Sequence, residues 1–451
     1  MLGLTEQSGD IMRTVDKLDK IGPHKVRACL MDDVGLTAEQ AEEIMRFISI
    51  TGSNVTATAD IGTGIGSGTS SSGETTIDIS GGTVNAKGGS DGYNGSAGIG
   101  SGSHSTGNTH ITLHDGVTVE AKGGGDSSHG GGGGAGIGSG SDATGNTTIL
   151  IEGATKVTAT GGSTAAGIGT GHYVGDINDP SVGSTTITIR NSADGTVIPI
   201  ITAKGGSDEN GSCWASGAGI GSGGNTLNKT TINIEGGEIT ATGGVSLDSR
   251  NHSDKRLSGA GIGSGSNVSG ETEINIKGGT ITKATGGKYG GAGIGGGSSD
   301  TKNDSKKGAV TINITDGTIE KAEGQNGGAG IGSGYYGRSS TVNISGNAEL
   351  KDVRGGNLAA GIGSGYDSGK VDDGGTIKAT GGDSAAGIGS GHNSRSSVII
   401  KSGTVNATGN GTGAGIGGSD NNNSSSITIT GGTIIANGTG EAPAIGGGSV
   451  S

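Results

Sequence analysis

Few side chains in this chain are suited to chemistry, and the clearest are rings. Tyr335, Tyr366 and His392 each directly follow a Gly-Ser-Gly triplet. His172 and Tyr173 follow a related Gly-Thr-Gly, and Trp214, the one tryptophan, sits beside Cys213. Aromatic residues are only 2% of the chain, so their recurrence at one place is informative. Flat rings at a surface are what sugar rings stack against. Tyr335, Tyr366, His392 and Trp214 are therefore the candidate carbohydrate-contact residues. If the triplets are equivalent points of a repeat, the Tyr335 and Tyr366 rings should lie about 4.8 Å apart, one strand spacing, with His392 extending the column.

The carboxylates give no comparable pattern. Cleaving a polysaccharide needs paired acids, or a base beside a cation-binding acidic cluster. Asp78, Glu120, Glu238 and Glu320 are scattered among Thr, Asn and Lys, and the Asp372-Asp373 pair has an ordinary turn composition. No catalytic residue is predicted. Cys29 and Cys213 lie in unrelated segments, so neither a disulfide framework nor a thiolate metal site is expected. The glycine-rich calcium nonapeptide with its fixed Asp is also missing. No metal and no cofactor are expected.

The element that must position the rings is Ala-Gly-Ile-Gly. It or a close variant occurs 12 times, with isoleucines from Ile65 to Ile445 spaced 26 to 52 residues apart. A period of this size marks a solenoid, whose units bury their apolar faces only against their neighbours. Each unit reads as three short strands. In one clean copy Ile232 and Ile234 alternate with Thr231 and Asn233, then Ile239 and Ala241 alternate with Glu238, Thr240 and Thr242, and Ala260 to Gly263 forms the third. Strict alternation puts one face in and one face out. The pairs Gly236-Gly237 and Gly243-Gly244 make the corners, at positions expected to need positive φ. Stacked coils of this kind form an all-β, right-handed parallel β-helix of 12 coils, about 58 Å long at ~4.8 Å per coil. In the second strand the inward residues normally stand two apart. In Ile281/Ala284, Ile319/Ala322 and Leu350/Val353 they stand three apart, which predicts a stacked bulge. With Ala and Ile inward, Gly98, Gly100 and Gly102 would face outward, either as a bare floor between loops or, the preferred reading, as glycines that permit a tight cross-section.

Composition alone would argue for disorder, but the few aliphatics recur at the same place in every repeat, and a solenoid needs only a thin core. Of 451 residues 106 are glycine, and 28% are hydrophobic. The net charge of −13 and the dispersed lysines argue against nucleic acid as a partner. No apolar run reaches membrane-spanning length. Met1 is not followed by a basic and then an apolar region, so no signal peptide is expected. Ser451 falls in mid-pattern without a polar cap. The expected state is a monomer.

Residues 1–47 differ in character. Ile11, Val15 and Leu18 have helical spacing, Gly22-Pro23 stops the run, and Thr37 to Gln40 forms a capping box before Ala41, Ile44 and Met45. A short α-helical segment is predicted there, with the repeat domain covering 48–451. The runs Arg13 to Gly22 (Arg-Thr-Val-Asp-Lys-Leu-Asp-Lys-Ile-Gly), Lys25 to Ala28 and Gly35 to Ile44 resemble an internal segment of histidyl-tRNA synthetase, up to Asn54. The family's class II signature motifs, ATP-gripping arginine and histidine-reading loop have no counterpart in the chain. The resemblance therefore implies a fused fragment without the ligase's activity.

The strings Gly-Gly-Thr-Val-x-Ala-x-Gly-Gly and Ala-Gly-Ile-Gly-Ser-Gly resemble glycine-rich parallel β-helix repeats of bacterial cell-surface proteins, over roughly 48–451. That resemblance implies a non-catalytic, extracellular or surface-exposed stalk or adhesin with weak polysaccharide binding. A polysaccharide lyase-like enzyme is the alternative it leaves open.

Overall fold

The protein is described here from a computed structural model covering residues 47–125, 131–173, 183–208, 215–247, 257–300, 308–337, 340–366, 369–373, 376–394, 396–419 and 426–448. The chain divides into two units, 1–49 and 50–451. The helices and capping box expected before residue 47 lie outside the described residues, as do Trp214 and both cysteines.

The second unit is a parallel β-helix. Isoleucines of the third strand pair in register from Ile65 to Ile445 in one 12-stranded parallel sheet, one strand per coil. The first and second strands of every coil make a 22-stranded sheet. They are joined because three strands, Thr230–Thr242, Thr272–Thr285 and Val310–Ile319, run continuously around the corner between the two faces.

The alternation sets the strand phase as expected. Ile77, Ile79, Val84 and Ile99 are fully buried and Ala86 nearly so, whereas Thr83 and Asn85 are exposed. Thr76 and Asp78 are half-buried rather than exposed, because His110 and Thr112 of the next coil stand directly on them. Like residues stack on like: Ile77 on Ile111 on Ile149 on Ile187, and Val84 on Val119 on Val157. Each fully buried aliphatic side chain contributes about 1.5–3 kcal/mol. A thin column suffices, because every member is covered above and below.

The stacked bulge is present. Ile239 pairs with Ile281, but Thr240 skips to Lys283, so the extra residue enters there. The wider spacing is carried in register through Ile319/Ala322 and Leu350/Val353, and leaves where Leu350 and Val353 meet Ile377 and Ala379. Three coils share the insertion because parallel stacking penalises a bulge only where it starts and stops.

The corner glycines divide into two kinds. Gly237 does have positive φ, of 89°, as do Gly81 and Gly82 at an equivalent corner, of 61° and 73°, whereas Gly236 does not. Gly243 and Gly244, expected to need the same, do not. A methyl group at either would instead run into the carbonyl oxygen of Gly259 or Gly206, so close approach, not handedness, demands glycine there.

Ile262 is fully buried between Ile220 and Ile294. Ile262→Asp therefore places a carboxylate in an aliphatic column without a partner, at a cost of several kcal/mol. Each coil touches only its neighbours, so hydrogen exchange should rise first across 231–294 while distant coils stay protected. Equal loss of protection along the whole solenoid would contradict nearest-neighbour stability.

Candidate functional site

The third strand is a re-entrant loop, and this decides where the candidate rings stand. In the second coil the N–H of Ala97 donates to the carbonyl of Ser101, 3.1 Å away, folding Ala97 to Ser101 into a U. The same bond recurs nine times more, from Ala135 to Ala414. The U drives Ile99 into the core, while Gly98 and Ile99 donate to Ala135 and Gly136 of the next coil. Its two limbs are then tied across the mouth. The residue after Gly-Ser-Gly donates its N–H to a carbonyl on the opposite limb of the preceding coil: Ser141 to Gly95, Ser266 to Ser216, Tyr335 to Gly290, Tyr366 to Gly327, His392 to Leu358, all at 2.8–2.9 Å.

This geometry decides for the tight cross-section and against an open glycine floor. Gly98, Gly100 and Gly102 are all buried. Gly100 has φ of 139°, and a methyl there would strike the carbonyl of Gly138. Strand parity alone suggests an outward face, but the mouth closes over it.

The rings stand at that mouth. Tyr335 and Tyr366 stack with centroids 5.1 Å apart and planes at 29°, and Tyr366 and His392 stack at 5.6 Å and 23°. The predicted column thus exists at close to one strand spacing. Sequence reading missed its fourth member, Tyr336, whose ring lies 4.1 Å from Tyr335 and edge-on to Tyr366 at 5.4 Å. Tyr336 has φ of 52°, a left-handed conformation that is unusual for a bulky residue. Its place in the repeat, just past the ring position, is left-handed elsewhere too, at His104, Asp142, Tyr173, Asn225, Asn267 and Asn393. Tyr335 itself lies against the Cα of Gly290 and Gly327, where any side chain would displace it. Asn393 donates to the Tyr366 hydroxyl at 3.0 Å. All four rings are half-buried. Since Tyr366 has a ring on either side, what it offers solvent is its edge and hydroxyl rather than a free face. His172 repeats the arrangement singly: it packs on Gly132, and its ring nitrogen lies 3.1 Å from the Asn225 amide.

Serine after Ala-Gly-Ile-Gly has a role that sequence reading did not assign. Its hydroxyl accepts an N–H from the next coil: Ser101 from Gly140, Ser139 from Gly171, Ser222 from Gly265, Ser264 from Gly297, Ser333 from Gly365 and Ser364 from Gly391, at 2.9–3.2 Å. A second polar ladder runs outside, where Asn233, Asn275, Asn313 and Asn343 join amide to amide at 2.8–3.1 Å. Ser at the loop end and Asn in Thr-Ile-Asn-Ile were the available signals.

The closest acid–base constellation is His114. Its ring nitrogens lie 2.6 Å from Asp78 and 2.7 Å from Asp115. Burial alone would lower the imidazole pKa, but the hydrogen bonds and charges of the two aspartates outweigh it and raise the value. Both nitrogens are occupied by carboxylates, so neither is left for a substrate proton. Among the described residues no group of three or more His, Cys, Asp or Glu could hold a metal ion. No helix of the described residues is long and apolar enough to cross a membrane.

Eight stretches of the chain, 77–103, 149–172, 232–266, 274–298, 312–335, 373–392, 398–420 and 427–449, match the beta helix repeat family. Each includes or adjoins an Ala-Gly-Ile-Gly loop. A 48-residue stretch is 44% identical to the histidine–tRNA ligase of Wolinella succinogenes, covering 11% of this chain and 11% of that protein. No solved structure matches.

Three coils have glycine in place of the serine, at Gly296, Gly418 and Gly447. Of these Gly296 stands directly beneath the Gly334 N–H. Gly296→Ser should supply the missing acceptor and restrict the unfolded chain, gaining about 1 kcal/mol in denaturant unfolding. Unchanged or lower stability would show that the ladder hydroxyls contribute nothing net.

Proposed function

We propose that this chain is a non-catalytic, monomeric repeat module of an extracellular or cell-surface protein, a stalk or adhesin that contacts polysaccharide weakly. The observation that carries the reading is the ring cluster of Tyr335, Tyr336, Tyr366 and His392 at one edge of three successive coils. Edges, hydroxyls and the neighbouring Asn393 offer apolar contact and hydrogen bonding to one sugar chain lying along the axis. Each contact is small, and repetition supplies avidity. The polar faces around the cluster favour a passive role. Lys351 pairs with Glu320 at 2.8 Å, Lys321 with Glu323 at 3.0 Å and Arg354 with Asp352 at 2.6 Å, so these charges satisfy one another instead of converging on a reacting group. Trp214 is a second proposed contact, from its sequence alone.

Replacing Tyr335 and Tyr366 together by Ala should abolish retention on insoluble uncharged polysaccharide and leave the far-ultraviolet circular dichroism unchanged. A small loss of thermal stability is expected from the lost stack, about 0.5–1.5 kcal/mol per pair. Retention that survives the double change would move the contact elsewhere.

The chain spans about a ninth of the ligase it resembles. We propose that it has no aminoacylation activity. Purified protein given ATP, histidine and the cognate tRNA should form no aminoacyl-tRNA, and turnover above the protein-free control would refute this.

A further inference from the structure

The second-strand face of coils two to five carries charge of the opposite sign to the chain. Its outward residues are Thr83, Asn85 and Lys87, then Thr118, Glu120 and Lys122, then Lys156, Thr158 and Thr160, then Ile200, Thr202 and Lys204. Four lysines thus share one flat face with a single carboxylate, in a protein of net charge −13. Register places Lys87 directly on Lys122, and Lys122 on Thr160 on Lys204, in one column. All four lysines are exposed.

Elsewhere in the solenoid several lysines on the outer faces meet acids, although Lys283 and Lys378 do not. Lys229 reaches Glu273 at 3.3 Å, Lys277 reaches Glu235 at 3.5 Å and Lys321 reaches Glu323 at 3.0 Å. Among the described residues Lys87, Lys122, Lys156 and Lys204 have no ion-pair partner. Like charges stacked one strand spacing apart, as Lys87 and Lys122 are, disfavour the free fold. A ligand carrying negative charge would remove that repulsion.

We infer that this face binds a linear acidic polysaccharide, one bearing carboxylate or sulfate groups along its length. The column runs along the solenoid axis with cations one and two coils apart, about 4.8 and 9.6 Å. Thr118, Thr158, Thr160, Thr202 and Asn85 between them offer hydroxyl and amide partners for sugar hydroxyls. The face has no aromatic side chain on which a nucleobase could stack. The site is separate from the ring cluster and stands or falls independently of it.

The test uses the full chain and three soluble probes: polygalacturonate, neutral dextran and a single-stranded thymidine oligonucleotide. Titration calorimetry should show binding of polygalacturonate that weakens as salt rises, and none of dextran. Lys87→Gln, Lys122→Gln and Lys204→Gln combined should weaken it about tenfold or more. Lys229→Gln, Lys277→Gln and Lys321→Gln combined make the same change in net charge at paired lysines and should leave binding intact. Thermal melts of both triple variants establish that they fold. The Tyr335→Ala, Tyr366→Ala variant should bind polygalacturonate as the parent does. Equal weakening by both lysine triples would reduce the effect to net charge and overturn the site. So would undiminished binding in the first triple, absence of binding by the parent, or equal binding of the oligonucleotide.

Discussion

The structure depends on one constraint, the burial of a folded-back backbone at every Ala-Gly-Ile-Gly. A backbone loop in the interior carries N–H and C=O groups that must all be paired. Here Ala97 donates to Ser101 within the loop, and Gly98, Ile99 and Ser101 donate to the coil above. That arrangement puts a neighbouring carbonyl oxygen where a side chain would start: a methyl group on Gly100 would overlap the carbonyl oxygen of Gly138. Only glycine tolerates both this approach and the positive φ. The large glycine content is therefore the requirement of a buried loop repeated once per coil, rather than a mark of disorder.

The same constraint explains the polar ladders. A stacked position repeats every group it contains, so an unsatisfied donor would be repeated in every coil. Serine after the loop meets this by accepting the N–H of the coil above, and Asn233, Asn275, Asn313 and Asn343 do so by linking amide to amide. Coil-on-coil stacking turns one side-chain hydrogen bond, worth about 1 kcal/mol net, into a column of them.

Much of this was legible in sequence, and what was not has a physical reason. The inward columns, the coil count, the three-coil bulge and the Tyr335–Tyr366–His392 stack all follow from parity and spacing within a repeat. Parity says which side of a strand a residue takes, but not what covers that side. Parity alone therefore leaves a surface reading of Gly98 and Gly100 open, although the limbs of their own loop close over them. Tyr336 escaped notice because its left-handed backbone turns it back toward Tyr335, a direction no strand alternation predicts. The lysines seemed dispersed because loops of unequal length separate Lys87, Lys122, Lys156 and Lys204 in the chain, while the lattice brings them onto one face.

This separation of roles between interior and surface bears on catalysis. An enzyme site needs groups of different kind converging on one reacting atom, held at a few ångströms. A parallel solenoid places equivalent residues on straight, parallel columns, so it favours repetition over convergence. Where this chain departs from repetition, in the bulged coils, the added residues Lys321, Asp352 and their neighbours close ion pairs with one another. His114 shows the same tendency at a single position, with both nitrogens taken by Asp78 and Asp115. A surface whose reactive groups are either paired or arrayed in rows is suited to holding an extended polymer at many equivalent points, each contact weak and the sum set by how many coils the polymer spans.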